Sequence, residues 1–468
     1  MSTTRRPGAE ILPPEAWGPF VRLARFAGRP LEQFLHIEAA SGLVLLMAAA
    51  VALAAANSPW AAEYAGFWRL PLGVQVGGLR FERSLEWVVN DGLMVIFFFV
   101  VGMEIRREIH HGELSELRRA ALPVAAALGG MLVPAGIYLA LAGAPATRAG
   151  WGVPMATDIA FAVGILTILG RRVPAALRVL LLALAVIDDL GAIVVIALFY
   201  SAGIAVSGLL IAAAGFLGIA LMTRFGVRSR IAYVAPALVA WAGIYAAGVH
   251  PTIAGVIVGL MTPVRAWFGP SGFSERVKEE IRTIDEMDPE DTHHVAQALA
   301  RVSEARREAM SPAEGLIALL HPWVAFGIMP IFALCNSGVA IEVGEIRGDT
   351  AHVVLAVAAG LVLGKPLGVF GSSWLVVRLG VAVLPAGLTL RHLIVLGIVA
   401  GVGFTMALFI AQLAFPGAEL LSGAKLGVLI ASGTAGLLSL LVGRLALHEQ
   451  QLRAAASTAD EAESSTEA

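Results

Sequence analysis

Hydrophobic residues in this chain come in long blocks rather than in alternation. Apolar windows recur at about 35–57, 86–105, 119–142, 152–170, 174–200, 203–223, 231–248, 251–266, 321–340, 351–377, 389–414 and 420–446. A helix of roughly 20 such residues spans the ~30 Å hydrocarbon core of a bilayer. Glycine and proline lie inside many windows, which membrane helices tolerate because neighbours re-satisfy the freed backbone groups. The pattern predicts an all-α polytopic membrane protein of about twelve transmembrane helices. It divides into a polar arm, 1–34, a membrane domain, 35–446, and a tail, 447–468. The tail is acidic and rich in Ala and Ser, a composition that reads as disordered.

Two polar stretches interrupt the blocks. Within 58–85, LPLGVQVGGLRFERS alternates apolar and polar residues around Gly77-Gly78, a two-stranded hairpin signal. A lone hairpin is marginal in water, so it is expected to pair, most simply with a second copy of the chain. Residues 267–320 predict two short amphipathic helices, 274–284 and 291–310, with Pro289 and Pro312 as breakers. Glu279, Glu280, Asp285, Glu286, Asp288, Glu290, Asp291, His293 and His294 cluster there. They form either a solvated loop or a pH-responsive surface, since histidine titrates near neutrality.

Composition supports the membrane reading. Of 468 residues 58% are hydrophobic and 15% charged, with a mean hydropathy of +0.79, whereas soluble domains carry about 25% charge. The net charge of −2 argues against a nucleic-acid partner. The single cysteine, Cys335, excludes an internal disulfide framework. No signal peptide is expected, because the first residues are polar and carry Arg5, Arg6, Arg22, Arg25 and Arg29. Arginines also crowd alternate loops, with Arg106, Arg107, Arg118 and Arg119, then Arg171, Arg172 and Arg178, then Arg224, Arg228 and Arg230. The intervening loops are nearly bare, so both termini are expected in the cytoplasm. The loop 58–85, with Arg69, Arg80 and Arg83 on the opposite side, is the exception.

Charges inside the windows point to chemistry. LLLALAVIDDLGAIVVIALFY carries only Asp188 and Asp189. A charge at the centre of a membrane helix costs at least about 2.5–3.5 kcal/mol, and like-charge repulsion adds to that for a pair. A retained pair suits the uptake and release of a small cation or proton. Asp158, after Gly152, Pro154 and Thr157, lies where its span looks broken near mid-membrane. Broken helices leave backbone ends that become ion sites, and Thr157 supplies an oxygen ligand for a hard cation. Alternatively Asp158 caps the second half-helix. Lys365, followed by Pro366, needs a buried carboxylate partner, and Asp188 and Asp158 are available. Gly401, Gly403 and Thr405 suggest a second broken span, and two such breaks are the expected trace of an inverted repeat. Asp91 sits about two turns from one membrane face. Glu104 and Arg107 share one face of a helix end, as an interfacial ion pair or part of a charged funnel. His250 opens a later span and reads as structural.

The segments VPMATDIAFAVGIL, LALAVIDDLGAIVVIALFY, GVHPTIAGV, HPWVAFGIMPIFAL, GKPLGVF and GIVAGVGFTMALFIAQLAF resemble those of NhaA-type sodium/proton antiporters, from about 35 to 446. The resemblance implies twelve spans with two broken, crossing helices, cytoplasmic termini, a bacterial inner membrane and a homodimer held partly by the hairpin. It implies an ion site of Thr157, Asp158, Asp188, Asp189 and Lys365, a pH-response role for Glu104 and Arg107, and a match for His250. The 267–320 segment is longer than the family's usual loop, so no pH-sensing residue is carried over by position there.

Neighbouring helix side chains point about 100° apart, so the two aspartates are not expected to face one point. Asp189 is expected to face Na+ with help from Thr157, while Asp188 joins it or pairs with Lys365. No cofactor is expected; Na+, Li+ and H+ are cargo. Cation and proton contend for the same carboxylates, so exchange needs no separate coupling device. Two protons per Na+ would make the cycle electrogenic, and the site would idle at acidic and work at alkaline pH. Two alternatives stand beside this reading. A sodium-coupled organic-anion symporter of the same architecture would want a more polar cavity. An intramembrane aspartyl protease, with Asp158 and Asp189 as its dyad, lacks the expected glycine-bracketed aspartate.

Overall fold

The computed structural model describes residues 38–76, 79–201, 203–227, 229–266, 269–285, 292–340 and 347–466. The N-terminal arm and the acidic stretch 286–291 lie outside them. Apart from one antiparallel hairpin, the described chain is mainly helical. Helix α1 (Glu38–Ala56) turns by 119° into α2 (Ala61–Trp68). Strands β1 (Pro71–Val76) and β2 (Leu79–Ser84) follow, paired from Pro71↔Ser84 to Val76↔Leu79, as the alternation around Gly77-Gly78 predicts. Arg83 ties the hairpin to the bundle, donating to the Tyr245 hydroxyl at 2.5 Å.

Then come α3 (Leu85–His111) and α4 (Leu117–Leu141), and a broken pair, α5 (Pro145–Met155) and α6 (Ile159–Leu169), bent by 46°. Next are α7 (Ala175–Phe199), α8 (Val206–Arg224), α9 (Ile231–Ala246) and α10 (Thr252–Met261). The polar segment forms α11 (Gly269–Asp285) and α12 (Thr292–Ala309), joined by Arg301–Glu280 at 2.8 Å and Arg276–Glu308 at 3.4 Å. The chain closes with α13 (Pro312–Asn336), α14 (Gly348–Arg378), a second broken pair, α15 (Leu390–Ala400) and α16 (Phe404–Ala414), bent by 48°, and α17 (Ala418–Thr466). Among the described residues seven helices are long and apolar enough to cross a membrane, or ten counting each bent pair as one. The expected count of about twelve exceeds this because α9 and α10 are too short for the ~20-residue criterion.

Local chemistry accounts for three further departures. Pro312, read as a breaker, is instead the first residue of α13, where a missing N–H costs nothing. Ser311 caps that helix and Glu314 reaches back to complete the capping box, so the span starts nine residues before the expected 321. The tail, expected to be disordered, continues α17 to Thr466, consistent with its content of Gln, Leu, Arg, Ala and Glu, all good helix formers. In α13 and α14 the helix widens at Val324–Ile328 and Gly360–Gly364, just before Pro330 and Pro366. A proline lacks the N–H that would close a regular turn, and a wider turn absorbs the defect.

Helices meet where side chains are smallest. A Cβ on Gly129 of α4 would lie 2.3 Å from the Gly368 carbonyl oxygen, and one on Gly368 of α14 would lie 2.1 Å from that of Gly129. Gly102, Gly255 and Gly259 bring α3 and α10 together in the same way. Large residues such as Leu132, Leu198, Leu210 and Leu437 point outward, an arrangement suited to lipid rather than water.

The glycine contact sets the α4–α14 spacing beside Lys365. Gly368→Ala should therefore lower the melting temperature of the detergent-solubilised protein by several degrees, as overpacking costs about 1–3 kcal/mol. Gly371→Ala, where nothing lies within 4 Å of the added carbon, should leave it within error. Equal melting temperatures for the two variants would show that the close approach is slack.

Candidate ion site

The two breaks meet each other. After Met155 the backbone runs extended through Ala156–Thr157–Asp158, and α6 starts at Ile159. Asp158 caps α6: its Oδ1 accepts the Phe161 N–H at 3.0 Å. Its Oδ2 accepts from the start of α16, from the Thr405 N–H at 3.0 Å and the Thr405 hydroxyl at 2.5 Å. In return the Asp158 N–H donates to the Val402 carbonyl at 2.8 Å, inside the second break. The Phe404 N–H, another orphan of a helix start, donates to Ser432 Oγ of α17 at 3.1 Å. The carboxylate of Asp158 thus takes three hydrogen bonds from two helix starts, so the capping role is the one its geometry supports.

Asp188 and Asp189 lie in mid-α7, both buried. Asp188 Oδ2 takes the Lys365 ammonium at 2.6 Å and the Thr157 hydroxyl at 2.8 Å. Lys365 also donates to the Met155 carbonyl, at the end of α5. A cation suits that end, where the half-helix presents unpaired carbonyls. Thr157 Oγ1 is also 3.0 Å from the Ala400 carbonyl at the end of α15, so its one proton is in reach of both. Two expectations are thereby sorted. Lys365 pairs with Asp188 and not with Asp158. Thr157, expected beside Asp189, bonds Asp188 instead, because the turn of α7 carries Asp188 towards the breaks.

Asp189 is different. Both of its carboxylate oxygens, and Oδ1 of Asp188, are buried without a hydrogen-bond partner among the described residues. Buried polar atoms are nearly always paired, so three unpaired carboxylate oxygens in one place call for a functional reason.

The remaining candidates make no hydrogen bond to this cluster among the described residues, although Glu104 lies close enough to Asp189 for the two carboxylates to repel each other. Glu104 and Arg107 sit half-buried on α3, where no hydrogen bond or ion pair joins them among the described residues. Asp91 and His250 form a pair the sequence did not suggest, with Nε2 3.4 Å from Oδ1. The His250 ring bonds Thr252 Oγ1 at 2.8 Å and stands edge-on to Phe409. Sequence reasoning also missed the partnership of Thr405 with Asp158 and the part played by Ser432. The only local signal for Thr405 was its place just after the glycines of the second break.

Comparison with known proteins identifies the family. The profile of the family described as Na+/H+ antiporter 1 matches residues 32–442. The chain is 66% identical over 468 residues to "Na(+)/H(+) antiporter NhaA 2" of Myxococcus xanthus, covering 100% of both chains. It is 55% identical over 460 residues to the protein of that name from Sorangium cellulosum, covering 97% of this chain and 98% of the relative. With the Pseudomonas putida protein of that name the identity is 50% over 426 residues, 90% of this chain and 94% of the relative. These relatives are named as transporters, not enzymes, and the symporter alternative finds no support among the names. By a family match across nearly all of its length, and by relatives that span it end to end, the chain belongs to the Na+/H+ antiporter 1 family.

Proposed function

We propose that the chain exports Na+, and Li+ with it, in exchange for protons returning from outside. The observation that carries this reading is the Asp189 carboxylate, buried and unpartnered on both oxygens beside an equally unpartnered Oδ1 of Asp188. Such oxygens are hard ligands for a hard cation, and each is also a proton acceptor. Na+ is held by Asp189 and Asp188, with Thr157 turning its oxygen to the ion or orienting Asp188. A proton on either carboxyl removes a ligand, so cation and proton exclude one another from one site. Asp158 positions the site by tying the two breaks together.

Lys365 supplies a second proton. While protonated it holds Asp188 Oδ2. A cation that takes over Asp188 leaves the ammonium without its carboxylate in a dry site, where the neutral amine is favoured. Loss of one proton from Asp189 and one from Lys365 per Na+ bound gives an exchange of two for one. The cycle then moves net charge, and the membrane potential drives it. At acidic pH the site stays protonated and idle; at alkaline pH it takes up Na+, which serves pH and sodium homeostasis.

The surrounding assignments follow. Counting α9 and α10 gives twelve spans, with the two broken pairs as corresponding parts of an inverted repeat. Arginine placement favours cytoplasmic termini in a bacterial inner membrane. Glu104 and Arg107 then line the cytoplasmic approach, and Asp91 with His250 lies towards the outer side. The hairpin, with two strands only and free edges, pairs with that of a second copy.

Asp189→Asn should abolish sodium-dependent proton movement in everted vesicles, read as dequenching of a pH dye. In the intact chain the KM for Na+ should fall as pH rises from 7 to 9, with Vmax little changed. A KM indifferent to pH would reject a shared site. Lys365→Ala should leave some exchange but abolish its response to an imposed potential, and it should lower the melting temperature because Asp188 loses its ammonium. Voltage-driven exchange at the wild-type rate would make Lys365 a bystander. Deleting residues 71–84 should convert the solubilised dimer to a monomer by light scattering while exchange per chain persists; an unchanged mass would place the interface elsewhere.

A further inference from the structure

Helix α16 carries more than its contact with Asp158. Thr405, Phe409 and Gln412 recur at spacings of four and three, so they share one face. Thr405 holds Asp158 at the ion site. One turn further on, Phe409 is almost wholly buried in a ring of aromatic groups. Its centroid lies 5.3 Å from Phe98 of α3, 5.3 Å from His250 and 6.2 Å from Phe332 of α13. A further turn on, Gln412 donates to Asn336 Oδ1 of α13. Asn336 in turn donates to Asn90 Oδ1 of α3 at 2.8 Å and to the Phe332 carbonyl at 3.0 Å. Asn336 is fully buried.

Two layers therefore lie beyond the site along one face of α16, a dry aromatic layer and an amide ladder that crosses three helices. An ion cannot pass a layer of packed phenyl rings without shedding its water. Amides buried this deeply hold one geometry, since a ladder left half-made is costly. Asn90 is at the end of α3 opposite Arg106 and Arg107, which puts the layers on the outer side if arginines mark the cytoplasm.

We propose that Phe409 and Gln412, seated against Phe98, Phe332, Asn336 and Asn90, are the outer gate of the ion path. The contacts hold α16 to α3 and α13 while the site is closed to the outside, and they part when it opens outward. The proposal rests on the antiport reading and the cytoplasmic arginines. An 11-residue half-helix hinged at the break 401–403 moves as one rod, so release at Gln412 is felt at Thr405.

A contact made only in the outward-closed state shifts the balance of states when removed. Gln412→Leu should raise the KM for Na+ at the cytoplasmic face about two- to tenfold, and lower it at the outer face by a similar factor. The two faces are read in everted and right-side-out vesicles. A merely structural role would move both KM values together or lower Vmax alone, and either result overturns the gate, as does the reverse pair of shifts. The second test first removes the single native cysteine, Cys335. In a Cys335→Ser background, Asn336→Cys with Gln412→Cys is bridged by a short thiol-cleavable linker. Exchange should stop and return on reduction; exchange persisting with the bridge verified overturns the gate. A wild-type chain that moves no protons against Na+ would overturn the antiport reading itself, a result independent of Gln412.

Discussion

A broken helix inside a bilayer is tolerable only if its loose backbone ends find partners in the protein, because lipid offers none. In this chain the two breaks answer each other through Asp158. Its carboxylate takes the Phe161 N–H of its own helix and both donors of Thr405, and its N–H goes to Val402. Either break alone would leave these groups orphaned at a cost of several kcal/mol. Together they fix the relative position of α5, α6, α15 and α16, and that fixed frame lets Thr157 and Lys365 converge on Asp188, with Lys365 also held by the Met155 carbonyl.

The adjacent aspartates then divide their labour by geometry. Successive side chains on a helix diverge by about 100°. Asp188 turns towards the frame and meets both an ammonium and a hydroxyl. Asp189 turns away and meets neither. Replacing a buried ion pair with apolar side chains is often harmless to stability, whereas an unpaired buried carboxylate is expensive. With both carboxylates ionised and Lys365 protonated, the site carries one negative charge in excess, which draws in a monovalent cation or a proton. The site is poised to be filled, and stability alone would not favour such an arrangement.

The charges were legible in the sequence because a carboxylate or lysine stands out in an apolar window. The breaks were legible because Gly152, Pro154, Gly401 and Gly403 weaken helices locally. Pairing was less legible: Lys365 with Asp188 was one of the pairs the charges left open, but the others were hidden. Asp158 and Thr405 are 247 positions apart, and no local pattern records that they touch. The preference of Thr157 for Asp188 over Asp189 depends on the rotation of α7 about its axis, which packing sets. Pro312 is a different kind of miss, since the Ser311 and Glu314 that turn it into a helix start stand beside it in the sequence. Asn90, Asn336 and Gln412 passed as ordinary polar residues because an amide in an apolar window is a weaker signal than a charge.

These amides bear on how the proposed site, shared by Na+ and H+, would release one cargo. In the proposed mechanism mutual exclusion makes Na+ and H+ alternate, but it does not say to which side each departs. Sidedness requires a part that reports the state of the site to a barrier elsewhere. Helix α16 meets that requirement mechanically. Its first turn is bonded to the carboxylate that holds the breaks together, and its later turns are packed into α3 and α13. The aromatic layer excludes water without specifying direction, whereas the amide ladder makes directional bonds that are either formed or lost. A barrier built from both is tight when closed and has a discrete point of release, which packed side chains alone provide poorly, because apolar contacts yield gradually and have no preferred register.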